Sequence, residues 1–348
     1  FSYKIYERYS MANVNTTISG SLPKPVWLAE GEKIWAPWKL SDNELLEAKA
    51  DALRLAVLEQ EMAGISIIGD GEQTRQHFVT TFIEGLSGVD FNNKKTVRIR
   101  DRYDADVPII YEKVYRKKSV FYEDAKLLRS LTTKPIKFTL PGPMTMIDTL
   151  YDNFYGSREK LAFEFASILN AEAKELSEAG VDIIQFDEPA FNVFFDDVKN
   201  WGVSALEKAC EGLTNKTAVH ICYGYGIEAN IKWKQSLGNE WRQYENIFPQ
   251  LAKSSINQVS LECINSKVPM ELISLLENKE VMVGVIDVAN NEIESSEDIL
   301  KVLNTASTFI DKSKITACTN CGLVPLNRSI ARKKMEALVK GTLLFSNS

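Results

Sequence analysis

The sequence predicts a single-domain α/β protein folded as a closed (βα)8 barrel. Three observations carry this: eight short β-branched runs ending in small or acidic residues, a longer helix-periodic segment between successive runs, and no GxGxxG turn after the first run. The missing glycine turn lowers the competing expectation, an open dinucleotide-binding sheet. The runs lie near residues 16–19, 65–69, 136–140, 182–186, 217–222, 257–262, 281–286 and 314–319. After the first, Ser41-x-x-Glu44 reads as a capping box opening a helix to about Met62. Between the second and third, residues 90–122 are charged and irregular, an excursion of loops or a hairpin at the barrel mouth. After the third, residues 158–178 form a long amphipathic helix. No low-complexity linker or internal repeat divides the chain, so residues 11–348 read as one domain, and residues 1–10, ahead of Met11, as an N-terminal extension or expression remnant.

Composition narrows the function. With 348 residues, 45% of them hydrophobic, the chain can bury a sizeable core. Its net charge of −6, with no dense Lys/Arg cluster, argues against a nucleic-acid partner. No run approaches the roughly 18 apolar residues of a membrane span, so a cytoplasmic protein is expected. The five cysteines, Cys210, Cys222, Cys263, Cys318 and Cys321, cannot all pair with one another. A reducing compartment favours metal-binding or catalytic roles for them.

In a closed parallel barrel the active site collects at the carboxyl ends of the strands. Here those ends read Gly69-Asp70-Gly71-Glu72, Asp187-Glu188-Pro189, His220-Ile221-Cys222, Glu262-Cys263 and Cys318-Thr319-Asn320-Cys321-Gly322. Residues two apart on a strand share a face, so His220 and Cys222 can grip one ion, with Glu262 and Cys321 arriving from later strand ends. One imidazole, two thiolates and a carboxylate suit tetrahedral zinc, Zn2+. Each piece alone has a plainer explanation. His-x-Cys on a buried strand is ordinary packing, Cys318-x-x-Cys321 could be a redox pair or half of a structural zinc site, and Glu262 a solvated strand terminus. Their recurrence at successive strand ends favours the metal. Cys318 and Cys263 read as neighbours of the site, and Cys210 as buried and inert.

These residues lie in motifs that resemble the carboxy-terminal catalytic domain of cobalamin-independent methionine synthases. The resemblance runs from about Thr16 to Gly341 and rests on Thr17-x-x-Gly20-Ser21 with Pro23, Gly71-Glu72 with Arg75, Gly142-Pro143-x-Thr145, Asp187-Glu188-Pro189-Ala190, His220-x-Cys222, Leu261-Glu262 and Asn320-Cys321-Gly322-Leu323. The larger amino-terminal barrel of the full-length family has no counterpart, as in the family's short single-domain branch. The resemblance implies that His220, Cys222, Glu262 and Cys321 hold zinc. It also implies that Ser21, Glu72 and Asp187 bind the amino and carboxylate ends of L-homocysteine, Glu72 and Asp187 serving catalysis as well. The expected activity is methyl transfer to the zinc-bound thiolate, in methionine biosynthesis. A free thiol has a pKa of about 8.5, whereas a zinc-coordinated one is deprotonated outright. Glu262 is the weak ligand that the substrate sulfur would displace.

The chain departs from the family where methyl-folate is contacted. Thr149 stands where the family has a tryptophan against the pterin, Val193 replaces a folate-contacting glutamate, and an Arg-Cys pair reads Tyr103-Asp104. A stacking plane and a polar anchor are gone, and losing the stacking and a buried hydrogen bond would each weaken pterin binding by on the order of 1–3 kcal/mol. Ala289 occupies the place of the family's proton-donating histidine, and the only histidines are His77 and His220. Folate needs a proton on its leaving nitrogen; a methyl-corrinoid does not. The expected donor is therefore a methylated corrinoid, free or on a protein, or another non-folate donor. Competing readings are a zinc methyltransferase acting on a different thiol, a zinc hydrolase, and a non-catalytic zinc-binding protein.

Overall fold

A computed structural model describes residues 14–31, 33, 35–225 and 227–348; the reading of residues 1–10 as an extension falls outside them. In chain order the strands are β1 (Asn15–Thr16), β2 (Ile68–Gly69), β3 (Leu86–Ile99), β4 (Tyr103–Arg116), β5 (Ile136–Pro141), β6 (Tyr151–Asp152), β7 (Ile183–Asp187), β8 (Lys216–His220), β9 (Gln258–Glu262), β10 (Glu280–Ile286) and β11 (Ile315–Thr319). Eight of them form one parallel sheet in the order β1-β11-β10-β9-β8-β7-β5-β2, and every run predicted from the sequence overlaps one of these eight. The two end strands meet: the Ile67 N–H donates to the Thr16 carbonyl at 3.0 Å, and the Ser66 hydroxyl exchanges hydrogen bonds with the Thr16 backbone. The sheet thus returns on itself as a (βα)8, or TIM, barrel.

Strand alternation sorts the side chains. Ile184 and Phe186, Val219, Val259 and Leu261, and Val281 and Val283 lie in the main apolar core, which includes the inner faces of the surrounding helices. Each such side chain, fully buried, contributes roughly 1.5–3 kcal/mol. The opposite face, in register across β5, β7, β8 and β9, carries Lys137, Thr139, Gln185, Asp187, Ala218, His220, Gln258, Ser260 and Glu262. The barrel interior is therefore unusually polar, with only a small apolar cluster of Ile67, Ile183, Ala218, Met282 and Cys318.

The helix predicted after Ser41 spans Asp42–Ala63, but the capping box does not form: Ser41 sits at the N-cap without a side-chain hydrogen bond. Acidic Asp42 and Glu44 in the first turn complement the helix dipole instead, and Gly64 ends the helix at φ +88°. The helix Arg158–Glu178 matches its predicted bounds, and Ser157 Oγ accepts from the Lys160 N–H. No helix among the described residues is long and apolar enough to cross a membrane.

The irregular excursion is a hairpin of β3 and β4, extended by β6. Its base is fixed by Glu172, whose fully buried carboxylate accepts from Arg116, Ser119 and the N–H groups of Val120 and Phe121. At its tip the Arg102 N–H reaches the Ile99 carbonyl at 2.9 Å, with Arg100 and Asp101 at φ +48° and +56°. Non-glycine residues held there cost of order 1–3 kcal/mol each and persist only where the surroundings impose them.

Candidate metal and substrate site

His220 ends β8 and Cys222 follows two residues on, so the pleat turns both toward the barrel axis. Cys321 arrives from the turn after β11. The ligand atoms of His220, Cys222 and Cys321 lie within 4.8 Å of one another, all buried. Cys321 Sγ is 3.3 Å from Cys222 Sγ, and all five cysteines are free thiols. His220 is held by one ring nitrogen: Nδ1 bonds Ser260 Oγ at 2.7 Å, while Nε2 is buried with no hydrogen-bond partner. A buried, unsatisfied imidazole nitrogen beside two thiols is the donor set zinc takes. Sulfurs sharing one tetrahedral zinc stand about 3.8 Å apart given Zn–S bonds near 2.3 Å; the pair would separate only slightly.

The electrostatics favour one thiolate in the pair. The hydrogen bond from Cys321 lowers the Cys222 pKa well below that of a free thiol, against the burial penalty and with help from His220, while Cys321 retains its proton and is raised. Burial alone would lower the pKa of His220, but the adjacent Cys222 reverses the sign. Outside this triad, Cys210 and Cys318 are pushed up by burial to about 12 and about 11, and Cys263 higher still, so none is a ready thiolate.

Glu262 does not join the triad. It ends β9 fully buried, and Oε1 accepts from Lys234 Nζ at 2.6 Å while Oε2 accepts the Tyr223 N–H at 3.2 Å. Lys234 stands on the helix Glu228–Ser236, outside every motif in the sequence. Removing one partner of a buried pair costs about 3–5 kcal/mol. Metal-free Lys234→Met protein is accordingly expected to unfold at markedly lower temperature, with a smaller deficit once zinc offers Glu262 another cation. Calorimetry with and without zinc measures both.

The residues expected from the sequence to meet substrate lie around a cavity lined in part by Ser21, Glu72, Asp187, His220, Cys222 and Cys321. Asp187 ends β7, and Gln185 Nε2 donates to its Oδ1 at 2.8 Å. Gln185 is oriented in turn by Lys137 Nζ, 2.7 Å from its Oε1. Burial raises Asp187 to about 7, although His220 opposes this. Burial also raises Glu72, with Arg75 opposing; Thr139 Oγ1 donates to Glu72 Oε1 at 3.1 Å. Glu72 sits at φ +55°, its N–H capped by Asp70 Oδ1. A Cβ on Gly20 would lie 2.5 Å from Glu72 Oε1, and one on Gly322 only 2.1 Å from Ser21 Oγ, so both glycines are required for the side chains to reach the cavity. Ser21 Oγ itself is buried and unpaired.

Sequence reasoning missed several contributors. Ser260 was legible in principle, two residues before Glu262 on the same strand face. Ser260→Ala is expected to free the His220 ring and weaken zinc binding about 10–100-fold, read by competition with a chelating dye. His77, Arg100, Arg102, Tyr225 and Asn230 also line the cavity, although no strand periodicity marks them. His77 Nδ1 accepts from the Val79 and Thr80 N–H groups, and burial, then Arg100 and Lys24, push its pKa down to about 3.

A parallel barrel with a buried imidazole–dithiol cluster and two buried carboxylates at the carboxyl ends of its strands is a metal-ready barrel enzyme. Comparison with known proteins gives the family. The profile described as "Cobalamin-independent synthase, Catalytic domain" matches residues 14–342. A methionine synthase of Sulfurisphaera tokodaii is 32% identical over 94% of this chain and 91% of its own, and one of Sulfolobus acidocaldarius 30% over the same shares. A B12-independent methionine synthase from Shewanella sp. W3-18-1, solved in complex with selenomethionine, is 62% identical and superposes with a TM-score of 0.94 over 95% of this chain and 97% of that one. A Listeria monocytogenes structure at 17% identity and TM-score 0.69, covering 94% of this chain and 98% of that one, shares the fold. The chain belongs to the cobalamin-independent methionine synthase family, and is a methyltransferase.

Proposed function

We propose that this enzyme methylates the sulfur of L-homocysteine, with His220, Cys222 and Cys321 holding zinc and Glu262 an exchangeable fourth ligand. The observation that carries the reading is the buried, unpartnered His220 Nε2 facing two thiols in a cavity that also holds Glu72 and Asp187. Bound there, zinc would supply the Lewis acidity that deprotonates a substrate thiol at neutral pH. The chain's own residues do the rest. Glu72 and Asp187 are carboxylates for the substrate ammonium, Ser21 Oγ is a free hydroxyl for its carboxylate, and Lys137 acting through Gln185 keeps Asp187 in place. The Glu262–Lys234 pair gives the displaced carboxylate a cation to return to. The selenomethionine held by the Shewanella relative, a selenium form of the expected product, supports this choice of substrate over another thiol.

The methyl donor is proposed to be other than methyl-folate: a methylated corrinoid, free or on a protein, or another donor that needs no proton at its leaving atom. A methyl-corrinoid would be a substrate brought to the site, not a resident cofactor. Thr149 Oγ1 is spent on the carbonyl of Met146, 2.9 Å away, and its side chain offers no ring to stack on a pterin. His77 offers no acid, since its imidazole is kept neutral. The two cysteine ligands weigh against a hydrolase, and family membership against a non-catalytic zinc protein. X-ray absorption at the zinc edge tests the central step: homocysteine is expected to add a sulfur neighbour at about 2.3 Å and remove an oxygen. An unchanged zinc shell under saturating homocysteine would refute the proposal.

A further inference from the structure

The cavity has charges of opposite sign in two places. Glu72 and Asp187 lie with the metal cluster, while the tip of the β3–β4 hairpin contributes Arg100 and Arg102. Arg100 is nine-tenths buried; its Nε lies 3.4 Å from Asp148 Oδ2, yet neither atom has a hydrogen-bond partner. Arg102 stacks 3.5 Å from the Trp233 ring centroid and donates Nη1 to the Tyr223 carbonyl and Asn230 Oδ1. Its Nε and Nη2 are buried and unpartnered, and among the described residues no carboxylate lies within ion-pair range of it. His77 adds a third donor: Nδ1 already accepts two backbone N–H groups, so the neutral ring carries its proton on Nε2.

Asp148 offsets the charge of Arg100 in part, whereas Arg102 has no such partner, and a buried guanidinium without one is costly unless a ligand completes it. The strained left-handed residues at the tip, Arg100 and Asp101, belong to the same turn that brings both arginines to the cavity. On a chain of net charge −6 such a cationic rim is a local reversal of sign. A zwitterionic amino acid is already provided for by Glu72, Asp187 and Ser21. What remains for the rim is the second substrate.

We propose that Arg100, Arg102 and the Nε2–H of His77 form an oxyanion subsite that holds a carboxylate or phosphate group of the methyl donor while the acceptor occupies the metal end. The inference rests on the methyl-transfer reading. Calorimetric titration of zinc-loaded enzyme with inorganic phosphate and, separately, with succinate tests it, each with and without saturating L-methionine. The expected result is saturable one-to-one binding of at least one anion that survives L-methionine, the stronger of the two indicating which group the donor carries. Arg102→Gln and Arg100→Gln are expected to weaken that binding at least about tenfold, with L-methionine affinity unchanged. If Arg102→Gln does not fold, Arg102→Lys, which keeps the charge but loses the planar fork, should still weaken it. The proposal is overturned if neither anion saturates, if L-methionine abolishes anion binding, or if the folded variants bind anions as the wild type does. Failure of wild-type enzyme to bind L-methionine, with anion binding intact, would instead count against the assignment of acceptor.

Discussion

Replacing Cys321 by Ser, or His220 by Ala, is expected to abolish stoichiometric zinc and lower methyl transfer by on the order of 10³-fold or more, while the barrel stays folded. Lewis-acid activation is worth several kcal/mol, and each 1.36 kcal/mol is tenfold in rate. His220 is the last residue of β8 and Cys321 lies beyond β11, so neither substitution removes a backbone hydrogen bond from the ladder that holds the ring together. Removing either leaves the outward-facing core of Phe186, Val219 and Leu261 untouched. Metal analysis, circular dichroism and a homocysteine methylation assay separate the effects. Zinc retained at full stoichiometry by both variants would remove these residues from the ligand set. Loss of secondary structure would show a structural role instead.

The second large effect concerns the donor. Turnover of purified enzyme with methyl-tetrahydrofolate is expected to fall at least about 10³-fold below turnover with its true donor. Two missing pterin contacts, each worth on the order of 1–3 kcal/mol, compound with the absent proton donor, itself typically worth 10²–10⁴-fold. Methylcobalamin is the first alternative to assay, alone and then with added protein fractions. Rapid turnover of methyl-tetrahydrofolate by the isolated chain would defeat this reading. Restoring only the acid, by Ala289→His, is expected to leave folate a poor donor because Thr149 still offers no stacking plane.

The barrel was readable from sequence because its signals are local. Each β-branched run stops at a reactive residue, and the intervening segments keep helical periodicity. The pairing of His220 with Cys222 follows from the pleat alone. Their meeting with Cys321 requires ring closure, which the eightfold count supplied. What escaped notice depends on contacts between distant segments. Lys234 reaches Glu262 from a separate helix whose sequence shows only ordinary charge, and Lys137 acts on Asp187 through Gln185 across two strands. The stretch holding Arg100 and Arg102 reads as a charged excursion at the barrel mouth, since nothing in it shows that the turn points inward. Capping was overread: Ser41 has the right neighbours but makes no side-chain bond.

The groups proposed to grip the metal belong to the ring, whereas the cationic rim belongs to a hairpin rooted by Glu172 and reversed at three residues. If the rim holds the donor as proposed, mutations in that appendage would retune which methyl carrier is admitted without disturbing the closed sheet beneath it. A lineage built this way is free to exchange one carrier for another while its acceptor chemistry stays fixed.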